Sequence, residues 1–196
     1  MEYAGRNCYR SHDKITDESY VRFNANLMER GHHSPLEFAH ATFEIVTSRD
    51  VMAEITRHRM ASFAIQSQRY VMDDKSGEIS FVRPDFYIPY DGDKIDAKRW
   101  CASRTWEQAM KQAEMFYRDL IHSYGLTPQD ARKVLPNSTA TVIVMQVNLR
   151  ELLHMIELRA SPRAYPEMQT MMRLLIEEVR KYYPEILPKK AEDEQK

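Results

Sequence analysis

The chain has 196 residues, 43% of them hydrophobic, which is enough for one substantial core, and no Pro-, Gly- or Ser-rich linker divides it. Its 28 basic and 29 acidic residues leave a net charge of −1, which argues against general nucleic-acid binding and makes any anion site a local concentration of charge. Two cysteines are too few for a disulfide framework, no apolar run reaches the length of a membrane span, and the start carries no apolar signal core; the expectation is a soluble, cytoplasmic protein without a membrane partner.

Thr16 or Asp17 is placed to cap a helix whose Tyr20, Phe23, Leu27 and Met28 recur at helical spacing, with Gly31 as its C-terminal glycine. That delivers His32 and His33 into a turn. Residues 42–47 alternate, with Phe43 and Ile45 on one side and Thr42, Glu44 and Val46 on the other, as in a half-buried strand. Residues 50–61 read as helix, on which Glu54, Arg57, His58 and Ala61 share a face.

From Ser103 an amphipathic helix carries Trp106, Met110, Ala113, Phe116 or Tyr117, Leu120 and Tyr124 as an apolar stripe, read as core packing, and Gly125 stops it. Thr127-Pro128 starts a short helix that Pro136 ends. Residues 139–147 are rich in β-branched side chains and fit a strand or a buried helix. Asn148 and Glu151 form a capping-box pattern that opens a helix to about Arg159, and a last helix runs from Pro166 to about Tyr183. Residues 189–196 read as a polar, disordered tail after a domain spanning 1–188. No internal repeat stands out. A strand minority among long helices indicates an α+β fold, and no Gly-x-Gly-x-x-Gly follows a strand, so a Rossmann dinucleotide site is not supported.

The chemistry concentrates between Arg57 and Tyr70, where three arginines, a histidine, two serines and two glutamines surround a few apolar residues. This is an anion-binding composition, because guanidinium forks match phosphate bidentately; the bland alternative is a solvated basic helix end. Arg57, His58, Arg59, Ser62, Ser67, Arg69 and Tyr70 match the Arg-His-Arg, seven residues, Ser signature, and the segment resembles that of the flavin-dependent thymidylate synthases. Further stretches resemble the family in order: Gly31-His32-His33-Ser34-Pro35-Leu36-Glu37, then Phe86-Tyr87-Ile88-Pro89, then Ala131-Arg132-Lys133-Val134-Leu135-Pro136, Val147-Asn148-Leu149-Arg150 and Leu158-Arg159.

The resemblance implies an α+β domain with a small antiparallel sheet against several long helices. It also implies synthesis of dTMP from dUMP, with FAD as cofactor, methylenetetrahydrofolate as one-carbon donor and NADPH as reductant, and a homotetramer with sites between subunits. Carried over residue by residue, it assigns dUMP to Arg57, Gln66, Ser67, Gln68, Arg69, Arg132 and Arg159, with Arg159 activating the uracil, and Glu54 joins this set where a glutamine is common. It assigns FAD to Ser34, Arg57, His58, Arg59, Asn148, Arg150 and His154, with His32 near flavin and folate.

Neither Cys8 nor Cys101 lies beside a base or helix-start pattern, so both read as small buried hydrophobes and a route without a cysteine nucleophile is expected. His32, His33, His40 and His58 lack metal-site spacing, and no metal is expected. The roles of Glu37 and Glu44 stay open. The chain departs from the family at Ala64-Ile65, where many members carry Asn-Glu, and by the resemblance a strand is expected before Ala4 that the sequence does not contain. Two rival readings follow: a related flavoenzyme acting on another pyrimidine nucleotide, and a catalytically silent nucleotide-binding protein.

Overall fold

The computed structural model describes residues 1–68, 79–89 and 96–187; Arg69, Tyr70 and the expected tail lie outside them. Three strands, β1 (His40–Ser48), β2 (Ala61–Ile65) and β3 (Ala140–Asn148), form one sheet in the order β1-β3-β2. Leu149 N–H donates to Ala39 O at 2.9 Å and Arg49 N–H to Thr139 O at 3.1 Å, which fixes β1 and β3 as antiparallel. Gln66 N–H donates to Val142 O at 2.9 Å beside β2. The fold is α+β, with strands a minority among helices.

Contacts group the chain into two units, Met1–Phe43 with His58–Ser62 and Met145–Lys196, and Glu44–Arg57 with Phe63–Val144. In the first unit, α1 (Glu2–Asn7) and α2 (Ser19–Glu29) precede a 3₁₀ turn, Ser34–Phe38, that packs on α6 (Leu149–Arg159), which in turn packs on α7 (Pro166–Tyr182). Met168, Met171, Met172, Leu175, Ile176 and Val179 are all buried, the three-and-four spacing of one helical face. Gly5 lets α1 pack closely on Phe23: a Cβ there would lie 2.7 Å from Phe23 Cε1 and force the ring to move.

The end of α2 follows from Gly31. At φ +67 it lets Gly31 N–H reach Met28 O at 3.1 Å and His32 N–H reach Leu27 O at 2.9 Å, closing the helix by a left-handed cap. The start differs from expectation. The cap position is Glu18, and Thr16 N–H instead donates to Ser19 Oγ at 2.9 Å, a turn that delays the helix. Helix α1 carried no sequence signal and was not expected.

The second unit holds α3 (Arg49–Ile55), the long α4 (Ala97–His122) and α5 (Pro128–Ala131) followed by a 3₁₀ turn, Arg132–Val134. Ile79, Tyr117 and Ala131 form a buried cluster against which Phe81, Leu120, Ile121 and Leu135 pack. Helix α4 begins at Ala97, capped by Asp96, whose carboxylate accepts from Lys98 and Arg99 N–H, rather than at Ser103. Ser103 is fully buried inside it, donating to Arg99 O at 2.8 Å and accepting Ile88 N–H at 2.9 Å. Of the expected stripe, Met110 and Tyr117 are buried, while Phe116 and Tyr124 are exposed.

Residues 139–147 resolve as strand. Thr141, Ile143, Met145 and Val147 are buried while Val144 and Gln146 are exposed, the period-two pattern of a pleated sheet. A repetition unseen in the sequence also emerges: a nine-residue strand, an N-cap side chain and a helix recur as β1, Ser48 and α3 and as β3, Asn148 and α6. The two copies share few identities, and buried apolar side chains coincide at two pairs, Ile45 with Met145 and Ile55 with Met155. Both caps are made, Ser48 Oγ accepting Val51 N–H at 3.3 Å and Asn148 Oδ1 accepting Glu151 N–H at 2.8 Å.

Candidate active site

The expected helix over 50–61 ends early, and this places the signature. Thr56 Oγ1 donates back to Met52 O at 2.9 Å at the end of α3, and Ala61 N–H to His58 O at 3.1 Å closes a turn. Ala61–Ile65 then pairs as β2. Glu54, Arg57, His58 and Ala61 therefore do not share a helical face: Glu54 stays on α3, Arg57 and Arg59 are exposed beyond it, and His58 is buried.

His58 joins two motifs that are a hundred residues apart in the chain. Arg159 Nε donates to its Nε2 at 3.1 Å, and its Nδ1 lies 3.1 Å from Glu151 Oε1. Arginine nitrogens only donate, so Nε2 must be the acceptor and Nδ1 carries the proton that Glu151 accepts. The ring of His154 meets that of His58 edge-on, 6.1 Å between centroids. Arg159 and His154 of α6 thus come together with His58, while Asn148 caps the first turn of that helix through its Oδ1.

In the same unit a cleft of about 860 Å³ is lined by Ser34, Arg150, His32, Arg30, Tyr9 and Phe23, among others. Arg150 pairs with Glu37, which gives that carboxylate a partner the sequence left open. Arg30, Tyr9 and Cys8 were missed as lining residues; the α1 helix and the Gly31 cap bring them there. Cys8 and Cys101 are both exposed, against the expectation of buried hydrophobes, because α1 ends at Cys8 and Cys101 lies on the outer side of α4.

The second unit carries the other expected nucleotide ligands. Gln66 is half-buried and grips β3 twice: its backbone N–H donates to Val142 O, and its Oε1 accepts Val142 N–H at 3.3 Å. Ser67 and Gln68 follow it, half-buried, and Gln68 Nε2 is a buried donor without a partner among the described residues. Arg132 opens the 3₁₀ turn after α5, its Nε donating to Gln129 O at 3.3 Å. Arg69 lies outside the described residues.

A family profile described as "Thymidylate synthase complementing protein" matches residues 1–185. Over 184 residues the chain is 34% identical to the flavin-dependent thymidylate synthase of Halobacterium salinarum, covering 86% of this chain and 74% of that one. The Haloarcula marismortui protein of the same name is 36% identical over 170 residues, with 78% and 67% covered, and that of Pyrococcus furiosus 32% identical over 183, with 92% and 71% covered. The chain belongs to the flavin-dependent thymidylate synthase family.

For a flavin-dependent thymidylate synthase, the departure in the signature falls on β2. Ala64 and Ile65, which replace the frequent Asn-Glu pair, are both exposed. Glu151 is the residue the sequence assigned only to capping; its partner His58 lies 93 positions away, and no local pattern reports such a contact.

Proposed function

We propose that the chain makes dTMP from dUMP with methylenetetrahydrofolate and NADPH, using FAD and no cysteine nucleophile. The observation that carries this reading is the meeting of His58, from the Arg-His-Arg signature, with Arg159, from the last family motif. Arg159 is the uracil activator in this reading. Its guanidinium stays cationic and stabilises the charge that develops on the pyrimidine ring as nitrogen-3 loses its proton. Arg57, Arg69 and Arg132 hold the phosphate together with Ser67, and Gln68 Nε2 supplies a donor without a partner among the described residues. Glu54 and Gln66 complete the nucleotide set.

The cleft beside Arg150 suits a dinucleotide cofactor in size and in donors: its volume falls in the range of cofactor pockets, Arg30 and Arg150 bring cations, and Tyr9 and Phe23 offer aromatic walls. Ser34, Arg57, His58, Arg59, Asn148, Arg150 and His154 would hold FAD. When bound, the flavin supplies the hydride chemistry that links the reductant to the one-carbon unit.

We also propose a single domain over 1–188, because each unit is assembled from separated chain segments, and a cytoplasmic homotetramer with sites between subunits. Exposed Val46 and Val144 on strands of the second unit, and exposed Phe38 and Leu174 in the first, are apolar surface of the kind subunit contacts cover. Among the described residues no helix is long and apolar enough to cross a membrane.

Purified protein should be yellow, and should form dTMP only when dUMP, methylenetetrahydrofolate and NADPH are all present. Protein that bound no flavin and made no dTMP would refute the reading. Exposed Ile65, standing where the family often has a carboxylate, favours one second reading, a different pyrimidine substrate. Parallel turnover with dUMP and dCMP decides between them.

A further inference from the structure

We propose that Glu151 is a positioning residue for the reaction, fixing the orientation of Arg159 through His58. The inference rests on the reading of Arg159 as uracil activator.

Glu151 and Arg159 stand in the first and last turns of α6, eight residues or about 12 Å apart along the axis. The imidazole of His58 bridges them, 3.1 Å from Glu151 Oε1 on one side and 3.1 Å from Arg159 Nε on the other. In an ordinary capping box the carboxylate at this position turns back to the N-cap amide. Here Asn148 makes its half of the cap, and the Glu151 carboxylate oxygen is committed to His58.

The carboxylate selects the ring's tautomer. A neutral imidazole has one N–H, and an acceptor at Nδ1 holds it there, leaving the Nε2 lone pair for Arg159. Without Glu151 the proton is able to sit on Nε2, where it would face the Nε–H of Arg159, donor against donor. The guanidinium would then swing away. The side chains of His58 and Glu151 are only 6% and 14% exposed, so water has little room to replace the lost acceptor. A guanidinium tied at Nε has its plane set, and the direction of its Nη donors follows from that plane.

The test compares Glu151→Ala, Glu151→Gln and His58→Ala with the wild type, after flavin absorbance and thermal denaturation have checked each protein. Glu151→Ala should lose about tenfold or more in kcat while the KM for dUMP and the dUMP affinity by calorimetry stay within about threefold. Glu151→Gln, whose carboxamide oxygen accepts the same bond, should recover most of that loss. A double variant carrying Glu151→Ala and His58→Ala should be no worse than His58→Ala alone, since both changes cut the same chain of contacts. Nitrogen-15 spectra of histidine-labelled protein should show His58 as the Nδ1–H tautomer in the wild type and shifted toward Nε2–H in Glu151→Ala.

Wild-type kcat in Glu151→Ala, or an unshifted His58 tautomer, would overturn the proposal. If Glu151→Ala fails to fold, Glu151→Gln and Glu151→Asp decide: the glutamine active and the shorter aspartate impaired supports it, and equal activity overturns it. Wild-type protein that forms no dTMP removes the functional reading and this proposal together, whereas an active wild type with an indifferent Glu151 removes the proposal alone.

Discussion

Arg159→Lys separates charge from shape at one side chain. Lysine keeps the cation but loses the planar fork and the Nε donor that reaches His58. The variant should bind FAD nearly normally and lose at least about tenfold in turnover, roughly 1.4 kcal/mol of transition-state stabilisation, in steady-state assays at saturating dUMP. Ser67→Ala should behave differently. A hydroxyl that only binds costs affinity, so the KM for dUMP should rise while kcat is largely kept. If the lysine variant kept full turnover and the Ser67 variant lost it at saturating dUMP, the roles of activator and ligand would be exchanged.

At the scale of elements, α6 depends on its first turn. Asn148→Ala removes the acceptor of Glu151 N–H and should cost about 1 kcal/mol of stability, read from chemical denaturation of flavin-free protein. The Phe86–Pro89 motif is tied to α4 by Tyr87 Oη donating to Glu107 Oε1 at 2.6 Å and by Ile88 N–H on Ser103. The hydrogen bond to Glu107, followed by desolvation and the repulsion of that carboxylate, raises the Tyr87 phenol above the ordinary value of 10.0. A raised value means the folded protein holds this proton more tightly. The contribution is complete below the ordinary tyrosine value and is lost as pH climbs through the folded one. The stability difference between wild type and Tyr87→Phe should therefore shrink above about pH 10, as denaturation midpoints taken on either side would show.

These elements also mark what the sequence could carry. Helices α6 and α7 were readable because burial follows period there, and Gly31 because a positive φ needs glycine, whereas residues 139–147 fitted a strand or a buried helix and only their pairing in the sheet decides for strand. The helix expected over 50–61 stops at Ile55 because Thr56 bonds back to Met52 O and a turn closed on His58 O leads into β2 from Ala61, whose pairing in the sheet no local pattern reports. The site was legible as a set of motifs, but the bond between His58 and Glu151 was not, since a contact 93 residues apart has no spacing to recognise.

At the scale of the whole molecule, the proposed homotetramer predicts a light-scattering mass about four times the 23.2 kDa of the chain, and dissociation should abolish activity. A fully active monomer would contradict it. The alternation of segments between the two units has a further consequence, for synthesis on the ribosome. The 3₁₀ turn bearing fully buried Leu36 packs on α6, so the first 43 residues cannot finish their core until residues after 144 have emerged. At about 5–20 residues per second, that gap of roughly a hundred residues keeps the N-terminal segment waiting some 5–20 s with its apolar side chains uncovered. The nascent chain thus carries uncovered apolar surface through that interval, and a stop codon anywhere before α6 leaves the first segment permanently without the surface it was made to meet.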